Sequence, residues 1–146
     1  MSKRISYKGK ITPGADGQKI SLKTLNGKTG YRIKKFQIMP TRPGVETFEY
    51  VFQVFATDTA TSSTIDFTNP DILAVAYYAD SAGSQNGFEV TTIFDNEVFN
   101  QDIFITGADA HGGVDPCNYY LEVETLSLSD VQATQLTLKS LRNISA

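Results

Sequence analysis

A chain of 146 residues, 40% hydrophobic and 20% charged, is long enough to bury a sizeable core and too apolar to be disordered. Its formal net charge of −3 argues against a general nucleic-acid binder, its one cysteine allows no internal disulfide, and no run of about 18 apolar residues suits a bilayer-spanning helix. The opening MSKRISYKGK is basic with no apolar segment behind it, so no secretory signal is expected and synthesis in a cytoplasm is.

Short β-branched and aromatic runs follow one another between turn residues. RISYKGKI alternates, with Ile5, Tyr7 and Ile11 as inward candidates; TPGADGQ is a turn cluster; KISLKTL alternates again before the tight-turn signal Asn26-Gly27. In GYRIKKFQIM, Tyr31 and Ile33 lie on one parity and Phe36 and Ile38 on the other, which predicts a bulge at Lys34-Lys35. After the breaker PTRPGVE, TFEYVFQVFAT sets Phe48, Tyr50, Phe52, Val54 and Ala56 on one face of a half-buried strand. DTATSSTIDFTNPD is a polar loop holding Ile65 and Phe67. ILAVAYYA is apolar on both parities, and its flanks Asn69-Pro70 and DSAGSQNG favour a central strand over a buried helix. FEVTTIF, EVFNQDIFIT and NYYLEVETLSL are further strands.

Ser129 then reads as the N-cap of a helix over 129–143, with an acidic first turn and Lys139 and Arg142 in its last turn. Its apolar stripe is Val131, Thr134, Leu138 and Leu141, so Leu138 and Leu141 are expected against the sheet. About eight strands of this length predict an all-β fold, an antiparallel β-sandwich, jelly-roll-like, with a short C-terminal helix. No repeat or linker divides the chain, so 1–146 reads as a single domain.

The charges are sorted along the chain. Residues 1–42 hold eleven bases and one acid, Asp16, whereas 43–138 hold fifteen acids and no Lys or Arg. Two arrangements follow: basic and acidic strands neutralising each other within a sheet, or oppositely charged surfaces that dock on copies of the chain or on a charged partner. In the docking case residues 1–10 form an interacting N-terminal arm, and Lys3, Arg4, Lys8 and Lys10 are the candidate interface bases. Lys8 and Lys10 share one strand face, as do Glu122 and Glu124, which are the candidate facing acids.

Catalytic chemistry finds little support. His111 and Cys117, with Asp109 and Asp115 nearby, have the residue types of a zinc site but no recognised spacing, and the setting GADAHGGVDP is that of a loop. An activated Cys–His pair needs a neighbouring positive group, and the surroundings are acidic. Glu122 and Glu124 share a strand face as hydrolase carboxylates might from separate strands, but LEVE alternation is what any solvent-facing strand shows. TDTATSSTID and GADAHGGVD offer oxygen ligands for calcium without EF-hand spacing. No P-loop, G-x-S-x-G or G-x-G-x-x-G occurs. No catalytic residue, cofactor or metal is therefore expected. Lys3, Arg4, Lys8 and Lys10 around Tyr7 form a basic patch, yet with a pI of about 5.1 and no groove-binding motif, nucleic acid is disfavoured as a partner and an acidic protein surface preferred.

SKRISYKGKI, NGKTGYRIKKFQIMP, TIFDNEVFNQDIFIT, CNYYLEVETLSLSD and TLKSLRNI, as an ordered set, resemble a family of small proteins encoded by tailed phages of marine bacteria. The resemblance covers most of the chain outside 40–48, 57–70 and 79–87, and supplies no catalytic residues. It implies a virion structural protein rather than an enzyme. A capsid decoration (cement) protein binding the assembled shell in many copies is the favoured reading, with other copies of itself and a major capsid or tail protein as partners. A tail or head–tail junction component is the alternative of the same class. A glycan- or receptor-binding module, using Tyr77, Tyr78, Tyr119 and Tyr120, and a hydrolase are the alternatives of other classes.

Overall fold

With bulky apolar residues at every second position, an extended chain can bury one face and wet the other. The computed structural model, which describes residues 3–80 and 87–145 and side chains as far as Ser140, has eight strands among those residues: β1 (Arg4–Ile11), β2 (Gln18–Ile20), β3 (Thr29–Pro40), β4 (Phe48–Phe55), β5 (Ile72–Asp80), β6 (Phe88–Ile93), β7 (Ile103–Asp109) and β8 (Cys117–Ser127). A helix, α1 (Asp130–Ser145), follows. The strands form a three-stranded sheet, β1-β8-β3, and a five-stranded sheet, β2-β7-β4-β5-β6, antiparallel throughout. One apolar cluster draws on both: Phe48, Tyr50, Phe52 and Val54 of β4 share it with Ile33, Phe36 and Ile38 of β3 and Leu121 and Val123 of β8. The result is a β-sandwich-like, mostly-β fold with one C-terminal helix.

Local signals map closely onto it. The β3–β8 register slips between Ile33 and Lys35, and this bulge at Lys34 lets Tyr31, Ile33, Phe36 and Ile38 all point inward. The tight turn before β3 puts Gly27 at φ 65°, a left-handed conformation that glycine adopts without a Cβ clash, and the Asn26 side chain accepts a hydrogen bond from the Lys28 N–H.

Three expectations are corrected. β4 is buried on both faces, not half-buried, because the 57–71 loop crosses its outer side. The buried Gln53 amide donates to the Ser62 and Thr64 carbonyls, and Val51 and Phe55 are covered as well. EVFNQDIFIT is a strand only from Ile103. Before it, Asn100 and Asp102 turn their side chains onto neighbouring backbone, Asp102 accepting from the Leu22 and Lys23 N–H groups, while Phe99 makes only an isolated bridge to Tyr31. The helix packs through a different stripe than expected. Ala133 is buried and Leu136, Thr137 and Ser140 half-buried, whereas Leu138 is 46% and Val131 66% exposed. The Leu141 side chain lies outside the described residues. The Ser129 cap is present in reciprocal form: its hydroxyl accepts from the Gln132 N–H, and the Gln132 side chain accepts from the Ser129 N–H. The rotation of the helix is set by Asn100, whose amide donates to the Ala133 carbonyl and the Thr137 hydroxyl.

Candidate functional site

Once folded, the charge blocks separate by sheet. Strands β1, β3 and β8 carry six bases and two acids, a formal +4; strands β2, β4, β5, β6 and β7 carry one base and four acids, a formal −3. The outer face of the three-stranded sheet is the strongest candidate for function. Its register places Arg4, Glu124 and Arg32 side by side, then Ser6, Glu122 and Lys35, then Lys8, Tyr120 and Gln37, then Lys10, Asn118 and Met39.

The two ends of this face differ. At one end the Arg4 guanidinium donates to Glu122 at 2.7 Å, and Arg32 reaches Glu124 at 2.6 Å. These bonds hold both carboxyls below the usual carboxylate range. A general acid needs a shift in the opposite direction, so this pair is poorly suited to acid–base hydrolysis. At the other end Lys8 and Lys10 have no ion-pair partner among the described residues, and with Gly9, Asn118 and Tyr119 they line a shallow groove. Lys35 sits 5.9 Å from the Tyr120 ring centre, and Met39 is 66% exposed. The acids expected to face Lys8 and Lys10 thus face arginines instead, because the cross-strand register pairs Arg4, not the lysines, with the acidic rows. The remaining lysines are presented to solvent.

The N-terminal segment is paired with β8. Lys3 donates its backbone N–H to the Thr125 hydroxyl at 3.0 Å and accepts from the Thr125 N–H at 2.7 Å, and from Arg4 onward the chain is the strand β1. Over its described part the 1–10 segment belongs to the sheet; residues 1 and 2 lie outside the described residues.

The remaining candidates are dispersed. His111 is exposed in the β7–β8 turn, its backbone N–H bound by Asp109. Asp115 pairs with Arg42 at 2.6 Å, and Asp66 is taken up by Thr68. Among the described residues no group of three or more His, Cys, Asp or Glu is placed to hold a metal ion, and no helix is long and apolar enough to cross a membrane. The four tyrosines do not form a stacking platform. Tyr119 is buried, Tyr78 bonds Asp80, and Tyr77 and Tyr120 belong to different sheets.

Cys117 is fully buried at the start of β8, and burial pushes its thiol up to about 12. Iodoacetamide at pH 8 is therefore expected to leave the folded protein unmodified and to label it stoichiometrically in denaturant, as intact mass would show. Rapid labelling of the folded chain would contradict this placement.

Sequence reading did not single out the face around Phe88 and Val90, on the opposite side of the molecule. Their shared parity in FEVTTIF was the available signal, but periodicity alone does not say which parity faces inward. No family model and no curated protein matches this chain.

Proposed function

We propose that this protein is a phage virion structural protein, a capsid decoration module that attaches in many copies to the acidic surface of an assembled shell. The observation that carries this reading is the lysine end of the three-stranded sheet, where Lys8 and Lys10 stand beside exposed Met39 with no acid opposite them. Such a face favours encounter with an acidic protein surface and gives apolar contact once docked. The resemblance of the sequence to small phage proteins supports the same class. A jelly-roll wiring is part of the proposal. The pairs β1–β8, β2–β7 and β4–β5 are those of one long antiparallel hairpin, and β8–β3 and β7–β4 are those made when it rolls up. β6 departs from that scheme by bonding to β5, though it lies close to β3.

Co-sedimentation with shells stripped of this protein tests the reading. Saturable binding is expected at about 0.05 M salt, weakening strongly at about 0.5 M as the Debye length falls from roughly 14 to 4 Å. Lys8→Glu with Lys10→Glu should abolish binding while moving the folding free energy by no more than about 0.5 kcal/mol, since both side chains are exposed. Absence of binding, or binding indifferent to both salt and charge reversal, would refute it. Copy number per particle separates shell decoration, which scales with the major capsid protein, from a tail or head–tail junction component, which is fixed by a small ring.

A further inference from the structure

A strand at the end of a sheet carries backbone N–H and C=O groups with no ladder partner, and proteins blunt such edges with lysines, prolines, bulges, short strands or a covering segment. The two sheets have four edges among the described residues, and three are blunted. β1 bears Arg4, Lys8 and Lys10; β2 is three residues long; β3 is bridged to Phe99 at Tyr31, bulged at Lys34 and ended by Pro40. β6, FEVTTI, has none of these devices. It holds no base and no proline, keeps one register against β5, and five of its six residues are β-branched or aromatic. Its free edge can be assigned residue by residue. The Phe94 N–H donates to the Leu73 carbonyl at 3.0 Å, continuing the β5–β6 register. Phe88, Val90 and Thr92 therefore turn their backbone groups to β5, and Glu89, Thr91 and Ile93 turn theirs away. Nor does the other sheet close over this end: Phe88, Glu89, Val90 and Thr91 are all exposed, although they alternate between the two faces.

A row of N–H and C=O groups at strand spacing is satisfied by another extended chain. We infer that β6 pairs antiparallel with β6 of a second copy, joining the two five-stranded sheets into one of ten strands about a two-fold axis. An axis perpendicular to the sheet keeps like faces together, so each residue must meet one of its own parity. Centred on Val90, it sets Val90 opposite the partner's Val90, Phe88 opposite the partner's Thr92 and Glu89 opposite the partner's Thr91. Glu89 and Thr91 are the residues whose backbone groups point outward, so this register makes two hydrogen-bonded pairs of them. It places no acid against an acid, and it carries the outer row of Tyr77 and Val90 across the joint as an apolar cross-strand pair. The strand is thus complementary to itself, which names a second copy as the occupant. Both copies then turn the three-stranded sheet, and its lysine end, to the same side of the dimer.

Sedimentation velocity tests this. Wild type should approach about 32 kDa, twice the 16.0 kDa chain, as its concentration rises toward about 1 mM. It should do so equally at about 0.05 M and 0.5 M salt, since backbone bonds and apolar contacts are not screened as exposed charges are. Val90→Lys and Val90→Glu each oppose two like charges at the axis and should stay monomeric alone, whereas an equimolar mixture should form a 1:1 dimer. The Val90 side chain is exposed, so both variants should keep the wild-type circular dichroism spectrum. Thr91→Pro removes an N–H that points away from β5 and should also be monomeric with the fold intact. A monomeric wild type, a variant that dimerises alone as wild type does, or a Lys–Glu mixture that stays monomeric would each overturn the inference. Lys8→Glu/Lys10→Glu separates it from the functional proposal, because that variant should lose shell binding and still dimerise. A wild type that binds shells yet never dimerises removes only the β6 pairing.

Discussion

Phe52→Ala should destabilise the fold by about 3–5 kcal/mol, and Phe88→Ala by less than about 0.5 kcal/mol, although both replace a strand phenylalanine of the same sheet. Phe52 is wholly buried, meets Tyr50 edge-on at 6.0 Å, and packs so closely on Gly107 that a Cβ there would lie 2.9 Å from the ring. Removing the ring forfeits its transfer free energy and leaves a cavity between two sheets held apart by their backbones. For a chain of this length that corresponds to a fall in Tm of roughly 6–20 °C. Phe88 loses only an exposed edge contact with Tyr77, so its folding cost is small. Thermal unfolding of both variants checks the contrast; a large loss for Phe88→Ala would show that the outer face is part of the core.

Asn100→Leu is the second large effect, expected at about 2–3 kcal/mol with loss of helical signal disproportionate to that cost. The Asn100 side chain is 1% exposed, and its amide donates to the Gly27 carbonyl at 3.0 Å, the Ala133 carbonyl at 3.3 Å and the Thr137 hydroxyl at 3.0 Å. One group thus ties the turn before β3, the segment before β7 and the middle of α1. A leucine of similar volume fills the space but leaves the Gly27 carbonyl without its amide donor, which costs more than the hydrogen bond contributed. Among the described residues the other ties of the helix are buried Ala133, half-buried Leu136 and the exposed ion pairs Lys28–Asp130 and Lys139–Glu97, while Val131 and Leu138 point to solvent. Hydrogen exchange should therefore accelerate across 130–140 well before the sheets lose protection. Uniform acceleration over the whole chain, or none, would contradict the role given to Asn100.

These two residues also show where sequence reading succeeds and where it stops. Phe52 was legible as an inward residue because a strand alternates with a period of two and its parity held Phe48, Tyr50 and Val54. Asn100 was not, since nothing local distinguishes an asparagine that caps three distant groups from one in an ordinary polar turn. The bulge at Lys34 could be read from a parity switch within ten residues, and the helix cap from Ser129 and the acidic residue after it. The helix stripe was misread because Val131, Thr134, Leu138 and Leu141 form one helical stripe and Ala133, Leu136, Thr137 and Ser140 another, and the long-range contact of Asn100 with Ala133 and Thr137 selects the second.

The sequence by itself determined the strands, the bulge, the tight turn before β3, the helix start and the sorting of bases before acids, because each is encoded in spacing, turn chemistry or residue type over a few positions. Only the tertiary structure decided which charges neutralise one another. Strand β8 comes from the acidic part of the chain yet inserts between basic β1 and β3, and the register, set by pairings between residues distant in the chain, gives its glutamates to Arg4 and Arg32 and leaves Lys8 and Lys10 open. The same long-range pairing placed Phe88 and Val90 on an outer face. Inward and outward parity of a strand depends on what the other sheet covers, and that is a property of the assembled fold.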